Sequence, residues 1–252
     1  MRFVSARLSE RGGRKVNEDA CASRASNGLE SWVLADGLGG HTGGEVASRL
    51  CVEEILGSFG REPLLSAEAL KRHVAAAQAA LAARQGASED LADMRSTVVV
   101  LIAGLDAALW AHVGDSRLYH LRGGRIIAQT QDHSVPQMLA AAGDLPVDRI
   151  RHHPDRNRLL RSLGQPGEVQ AAIESRPVPL RAGDAFLLCT DGFWEHVREK
   201  EMEIDFAKSA SPDEWLTLMQ ARLKRRMSPD GDNFSAVGIF VDASENRMSS
   251  KP

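Results

Sequence analysis

Residues 31–45 read "SWVLADGLGGHTGGE". The apolar run from Trp32 to Ala35 stops abruptly at Asp36, and glycines follow at 37, 39, 40, 43 and 44. A buried strand that ends on a carboxylate and then gives up side chains hands an acidic group to a loop of bare backbone. The pattern returns along the chain. "FLLCT" (186–190) precedes Asp191-Gly192, "WAHVG" (110–114) precedes Asp115, and Asp232-Asn233 stands directly before "FSAVGIFV" (234–241). A lone Asp-Gly is a turn signal. Four aspartates at the ends of predicted strands instead mark a rim, where a sheet delivers side chains together. "NEDA" (17–20) adds Glu18 and Asp19 before another strand-like run.

Working outward, short apolar or alternating runs ended by Gly, Asp or Asn predict strands at "SWVLA", "TVVVLIAG", "AALWAHVG", "SRLYHL", "RIIAQT", "AFLLCT" and "FSAVGIFV". Short Gly-containing links at 104–106 and 122–124 predict hairpins. The four middle runs therefore read as one antiparallel meander, interrupted by Gly114-Asp115. Two helices follow the glycine loop, over 44–57 and 67–84, each with an apolar face. A late helix starts at "SPDEW", where Ser211 suits the N-cap, Pro212 the first helical position and Glu214 a capping box. Residues 132–167, rich in Pro, Arg and His, read as a surface excursion, and the polar "SENRMSSKP" (244–252) as a frayed tail. The pattern is α+β, with stacked strand sheets inside and helices outside.

The 252 residues, 43% hydrophobic, are enough for one generous domain. A net charge of -3 argues against a nucleic-acid binder driven by bulk charge. No apolar run reaches the about 20 residues that span a bilayer, and "MRFVSARLSERGG" lacks the apolar core of a signal peptide. Cys21, Cys51 and Cys189 are odd in number, far apart and in apolar contexts, which fits buried thiols in a reducing compartment. A cytoplasmic protein is expected.

Carboxylates that converge at low dielectric repel one another, so protons or metals must compensate them. Hard oxygen donors without a His or Cys cluster suit Mg²⁺ or Mn²⁺, and a carbonyl exposed by glycine can reach the same ion. Such sites commonly serve phosphoryl chemistry. Spacing alone leaves two readings, a metal site and a set of turns. The glycine loop lacks the ending of a P-loop, with no Lys between 16 and 70, and "GGHTGGE" is not in zinc-protease order.

Further segments decide between these readings. "RKVNEDA" (14–20), "VLADGLGGHTGGE" (33–45), "STVVVLI" (96–102), "AHVGDSRLY" (111–119), "QDHS" (131–134), "LLRSLG" (159–164), "LLCTDGFWE" (187–195) and "GDNFSAV" (231–237) resemble, in order, the motifs of the metal-dependent serine/threonine protein phosphatases of the 2C type, and most of all the compact bacterial members. The resemblance implies a four-layer sandwich of two central antiparallel β-sheets flanked by helix pairs, over residues 1–243, with 132–165 as a flap beside the cleft. It implies that Asp36 bridges two Mn²⁺ or Mg²⁺ ions, that Asp191 and Asp232 complete one of them, and that the Gly37 carbonyl binds the other. Glu18 and Asp19 would act through metal-bound waters, Arg14 would hold the substrate phosphate, and Asp115 would help hold a third, weaker ion.

The implied function is hydrolysis of phosphoserine and phosphothreonine in proteins by a metal-activated water, opposing a bacterial serine/threonine kinase. The partners are phosphoproteins, with no nucleic acid and no membrane, and a monomer is expected. One position departs from many eukaryotic members: Leu38 stands where a histidine is proposed as general acid, which leaves the leaving-group acid open. His41 is read as a loop residue, and His133, His152 and His153 as solvated or structural. The "DGFWE" segment resembles members associated with type VI secretion regulation. Two alternatives are a metallohydrolase of small phosphoesters and a non-catalytic phosphoprotein-binding scaffold. The presence of all three metal aspartates argues against the scaffold.

Overall fold

The structure, a computed structural model, describes residues 1–39 and 43–243; His41 and the tail at 244–252 lie outside the described residues. Two antiparallel sheets are stacked. The first runs in the order β1 (Arg2–Glu10), β12 (Phe234–Asp242), β11 (Ala185–Cys189), β7 (Arg117–Arg122), β8 (Arg125–Gln129). The second runs β10 (Val178–Pro179), β6 (Ala107–Val113), β5 (Val98–Ala103), β3 (Leu29–Leu38), β2 (Asp19–Ser26), with β4 (Arg95–Ser96) on β3 and β9 (Ala172–Ile173) on β6. Helices α1 (Gly43–Arg61) and α2 (Ala67–Ala87) cover the second sheet. Helices α4 (Asp191–Trp194), α5 (Glu199–Phe206) and α6 (Pro212–Arg226) cover the first. The expected four-layer α+β sandwich is what forms.

Three apolar layers hold it together, and they explain why the strands read as unbroken apolar runs. Along β3, Trp32 and Leu34 enter the layer between the sheets, against Leu118, Phe186 and Val237. Val33 and Ala35 point the other way, against Ile55, Phe59 and Leu70 of the helices. A strand buried on both faces keeps no polar alternation. Strand β1 is the contrary case. It is an edge strand paired along its whole length with β12, and its alternating "RFVSARLSE" gives no continuous apolar run, so sequence reading passed over it.

The meander needs correction. Strands β5 and β6 pair, and so do β7 and β8, but β6 and β7 belong to different sheets. Gly114-Asp115 is where the chain crosses from one sheet to the other, which two hairpin signals alone could not reveal. The late helix starts as its sequence dictates, with the Glu214 N–H donating to Ser211 Oγ at 3.2 Å. Its reciprocal bond is displaced by one residue: Glu214 Oε2 accepts from the Ala210 N–H at 2.8 Å.

The excursion after β8 contains α3 (Val135–Ala142) and a 3₁₀ turn at Val147–His152. Its base is closed by backbone pairing of Ser134 with Leu159 and of Ser96 with Leu163. Its first residues are anchored by a buried ion pair, in which Arg117 donates to both Asp132 oxygens at 2.8 and 2.7 Å.

Candidate active site

Asp36 lies near the end of β3, opposite Asp19 of β2 in the antiparallel register. Neighbouring chain fixes its backbone. The Thr97 N–H and the Ser96 hydroxyl donate to its carbonyl at 2.8 and 2.9 Å, and its own N–H donates to Thr97 Oγ1 at 3.2 Å. Asp191 opens α4 directly after β11, and Asp232 precedes β12. The glycine after each strand-end aspartate has a steric cause. A Cβ on Gly37 would overlap the Gly44 carbonyl, and one on Gly192 would overlap the Asn233 carbonyl. Both Asp-Gly pairs are crossings of two backbones too close for a side chain.

These crossings bring Arg14, Glu18, Asp36, Gly37, Leu38, Asp115, Asp191 and Asp232 to the wall of one cleft of about 340 Å³. Seven positions singled out from the sequence thus share a cavity, together with Leu38, the position where a histidine is missing. Asp19 sits behind the wall. It is buried; its Oδ2 accepts from the Thr190 hydroxyl at 3.1 Å, while its Oδ1 is buried without a partner. The flap contributes Asn157 and Leu159.

The charge balance is one-sided. Burial pushes the Asp19 carboxyl up to about 8, with Asp191 and Asp232 adding to it. Burial, then repulsion from Asp19, Asp191 and Asp115, raises Asp36 well above the usual carboxylate range. Asp115 is raised the same way, by burial first and Asp191 second. Asp191 is raised by burial and Asp232, against the opposing hydrogen bond from the Gly192 N–H at 2.6 Å. Asp232 has a different partner: Arg14 Nη2 donates to its Oδ2 at 2.7 Å. Apart from the Arg14 guanidinium at Asp232, burial and mutual repulsion act on these carboxylates, and such a set of hard oxygens suits divalent cations.

Among the described residues, no three His, Cys, Asp or Glu side chains are gathered tightly enough to cage an ion unaided. A carbonyl or water must complete any coordination here, and the Gly37 carbonyl lies on the same wall. Unpaired Asp19 Oδ1 and the mutual repulsion of Asp36, Asp191 and Asp115 make the donor set fit a divalent metal.

A family model described as protein phosphatase 2C matches residues 9–228. The chain belongs to the protein phosphatase 2C family. Serine/threonine phosphatase stp of Listeria welshimeri is 35% identical over 183 residues, 70% of this chain and 71% of that protein. The Mycobacterium tuberculosis serine/threonine phosphatase PstP superposes with a TM-score of 0.81 at 30% identity, over 96% of this chain and 99% of that one. The PstP catalytic domain in complex with two manganese ions gives 0.79 at 28% identity, over 96% and 99%. PppA, a key regulatory component of type VI secretion in Pseudomonas aeruginosa, gives 0.73 at 30% identity, over 95% and 98%.

Within this phosphatase 2C fold, one group of side chains escaped sequence reading. Trp194, in "DGFWE", is buried, and its indole N–H donates to the Asp115 carbonyl at 2.9 Å. Arg117 stacks over its ring at 3.5 Å, and the flap's Arg151 lies 5.5 Å from the ring centroid. Arg151 also donates to both Glu199 oxygens at 2.8 and 3.0 Å, and Arg156 to Glu195 at 2.7 Å. The flap is therefore tied to the segment that holds Asp115. Sequence offered no signal for this, because the partners are separated by dozens of residues and their pairing exists only in the fold. His133 stacks on His112 with ring centroids 4.6 Å apart, which is a structural role.

Beside Asp191 and Asp232 the cleft extends into a side lobe of about 260 Å³, where Arg156, Glu195, His196 and Asp230 line the wall. Burial, with Asp191 adding, pushes the Glu195 carboxyl up to about 7 against the opposing pull of Arg156.

Proposed function

We propose that this chain hydrolyses phosphoserine and phosphothreonine in proteins as a phosphoric monoester hydrolase that uses two Mn²⁺ or Mg²⁺ ions and a third, weaker one. The observation that carries the reading is the meeting of Asp36, Gly37, Asp191 and Asp232 on one cleft wall with Arg14 beside them. Asp36 would bridge the two ions, Asp191 and Asp232 would complete one, and the Gly37 carbonyl would bind the other. Glu18 and buried Asp19 would act through water, and Asp115 would hold the third. Bound there, the cations supply charge neutralisation for phosphate oxygens and lower the pKa of water. The PstP catalytic domain in complex with two manganese ions supports the two-ion part of this reading.

The chain's own residues do the rest. Arg14 offers a permanently charged planar fork to two phosphate oxygens. Its bond to Asp232 is half-exposed, so the guanidinium can exchange a carboxylate for a phosphate at little cost. Leu38 and Leu159 place apolar surface on the wall, which excludes water and strengthens the charge interactions inside. Among the described residues, no histidine lines the main cleft. Asp115 is therefore proposed to orient the water that protonates the leaving alkoxide. Cys51 and Cys189 are buried and free, and no step needs them.

Residues 1–243 form one catalytic domain in this reading, with 132–165 as its flap. The substrates are phosphoproteins, the counterpart is a cognate bacterial serine/threonine kinase, and the enzyme works as a monomer in the cytoplasm. Three free cysteines support a reducing compartment. Among the described residues, no helix is long and apolar enough to cross a membrane. The likeness to PppA makes type VI secretion regulation the first setting to examine. A substrate panel tests the reading. Phosphoserine and phosphothreonine peptides should exceed nucleotides and sugar phosphates in kcat/KM with Mn²⁺. A preference for nucleotides would replace the protein substrate with a small phosphoester.

A further inference from the structure

The flap and the segment after Asp191 meet along a seam. At one end of it, Arg156 from the flap and Glu195 and His196 from the segment line the side lobe of the cleft. Further along the same two segments, Asp148, Arg149, Arg151 and His152 face Arg198, Glu199 and Lys200 across a second concavity of about 490 Å³. Four of these seven side chains are permanent cations and two are carboxylates, in a chain whose net charge is -3. A local excess of positive charge against a negative background marks a surface that attracts anions.

The pairing inside the pocket sharpens this. Arg151 is committed to Glu199, bidentate at 2.8 and 3.0 Å, and to the Val197 carbonyl at 3.3 Å. Lys200 donates to Glu203 at 3.0 Å. Arg149 and Arg198 form no ion pair among the described residues, and both are exposed. The committed pairs leave Arg149, on the 3₁₀ turn Val147–His152, and Arg198, at the N-cap position of α5, as the exposed lining guanidinium groups without an ion pair among the described residues.

We propose that this pocket docks an acidic segment of the phosphoprotein substrate, some residues along its chain from the phosphorylated side chain. The proposal rests on the phosphatase reading above and names the kind of substrate it acts on. An extended peptide with its phosphate beside Asp191 and Asp232 leaves the cleft by the side lobe, past His196, and reaches Arg198 and Arg149 next along the seam. Aspartate and glutamate side chains there meet guanidinium donors that form no ion pair among the described residues. The contacts are exposed, so they act mainly on capture and weaken with salt.

The test uses three phosphothreonine peptides with a common centre, one carrying a block of Asp and Glu before it, one carrying the block after it, and one neutral. At low ionic strength the wild-type chain with Mn²⁺ should favour one of the acidic peptides over the neutral one by about three- to tenfold in kcat/KM, as two exposed ion pairs allow. The preference should shrink in 0.5 M salt, where the Debye length falls from about 30 Å in 0.01 M buffer to about 4 Å. The R149E/R198E variant should lose or reverse it, and R149Q/R198Q should lose it. Both variants should hydrolyse p-nitrophenyl phosphate as the wild type does, because neither residue lies in the cleft. No preference for either acidic peptide, or a preference that survives in R149E/R198E, overturns the proposal. If the wild type cleaves none of the peptides, the phosphatase reading fails first. Fluorescence anisotropy of the same acidic peptides without phosphate then decides docking separately: binding lost in R149E/R198E supports it, and absence of binding to the wild type overturns it.

Discussion

Replacing Trp194 with Phe tests how the Asp115 loop is held. The indole N–H donates to the Asp115 carbonyl at 2.9 Å inside the protein, and no other donor reaches that oxygen among the described residues. Phe keeps a ring under Arg117, which stacks at 3.5 Å, but removes the donor. A buried carbonyl left without its partner costs about 1–3 kcal/mol, and the smaller ring adds part of a cavity cost. A total of about 2–3 kcal/mol corresponds to a fall in Tm of roughly 4–12 °C for a chain of this size. Thermal unfolding followed by circular dichroism measures the total. Amide exchange by mass spectrometry locates it: residues 113–117 should exchange faster, while the central strand at 98–103 stays protected. Hydrolysis of phosphoserine peptide should fall more than that of an aryl phosphate. A Tm within 1 °C of wild type with unchanged exchange at 113–117 would refute the reasoning. Equal acceleration everywhere would show global loosening instead of a specific hold on Asp115.

Arg14→Ala should leave stability within about 1 kcal/mol, because its pair with Asp232 is exposed, yet reduce kcat/KM on a phosphopeptide roughly 10- to 150-fold; unaltered kinetics would remove its phosphate role. Asp115→Ala at saturating Mn²⁺ should slow a phosphoserine peptide, with its poor leaving group, much more than an aryl phosphate; equal losses would take Asp115 out of leaving-group chemistry. Stability should fall between pH 7.5 and 5 through the stacked His112–His133 pair. Burial, then His112 and Arg161, pushes the His133 imidazole down to about 3, and burial also lowers His112. The unfolded chain takes up protons below about pH 6.5 while the folded one stays neutral, so it binds more protons in that window and acid favours unfolding. His133 is partly exposed, which limits its share to about 1 kcal/mol. Urea midpoints of wild type and His133→Asn at both pH values check this, and identical pH dependence would contradict it.

The parts that sequence revealed and the parts it hid divide along physical lines. Strands such as β3 and β11 are buried on both faces, so they read as continuous apolar runs and the aspartates at their ends stood out. The Asp-Gly pairs were visible because a backbone crossing permits nothing larger than glycine. What stayed hidden depends on partners remote in sequence. The crossing of the chain between sheets at Gly114-Asp115 looks locally like a turn within a meander. Asp19 reads like Glu18 beside it, but Asp19 is buried at the start of β2 while Glu18, just before the strand, lines the cleft. The hold of Trp194 on Asp115 joins residues 79 positions apart, and nothing in either segment announces it.

The central claim is that Asp36, Asp191, Asp232 and the Gly37 carbonyl hold divalent ions for phosphate ester hydrolysis. The most direct measurement is turnover of a phosphothreonine peptide by wild type and Asp36→Asn, each with Mn²⁺ and with excess chelator, alongside calorimetric titration of Mn²⁺ into both proteins. Wild type should turn over only with the metal. Asp36→Asn should bind Mn²⁺ more weakly and lose at least about 100-fold in kcat, because one substitution disturbs both ions. Full turnover in chelator, or Mn²⁺ binding and kcat unchanged in Asp36→Asn, would contradict the account.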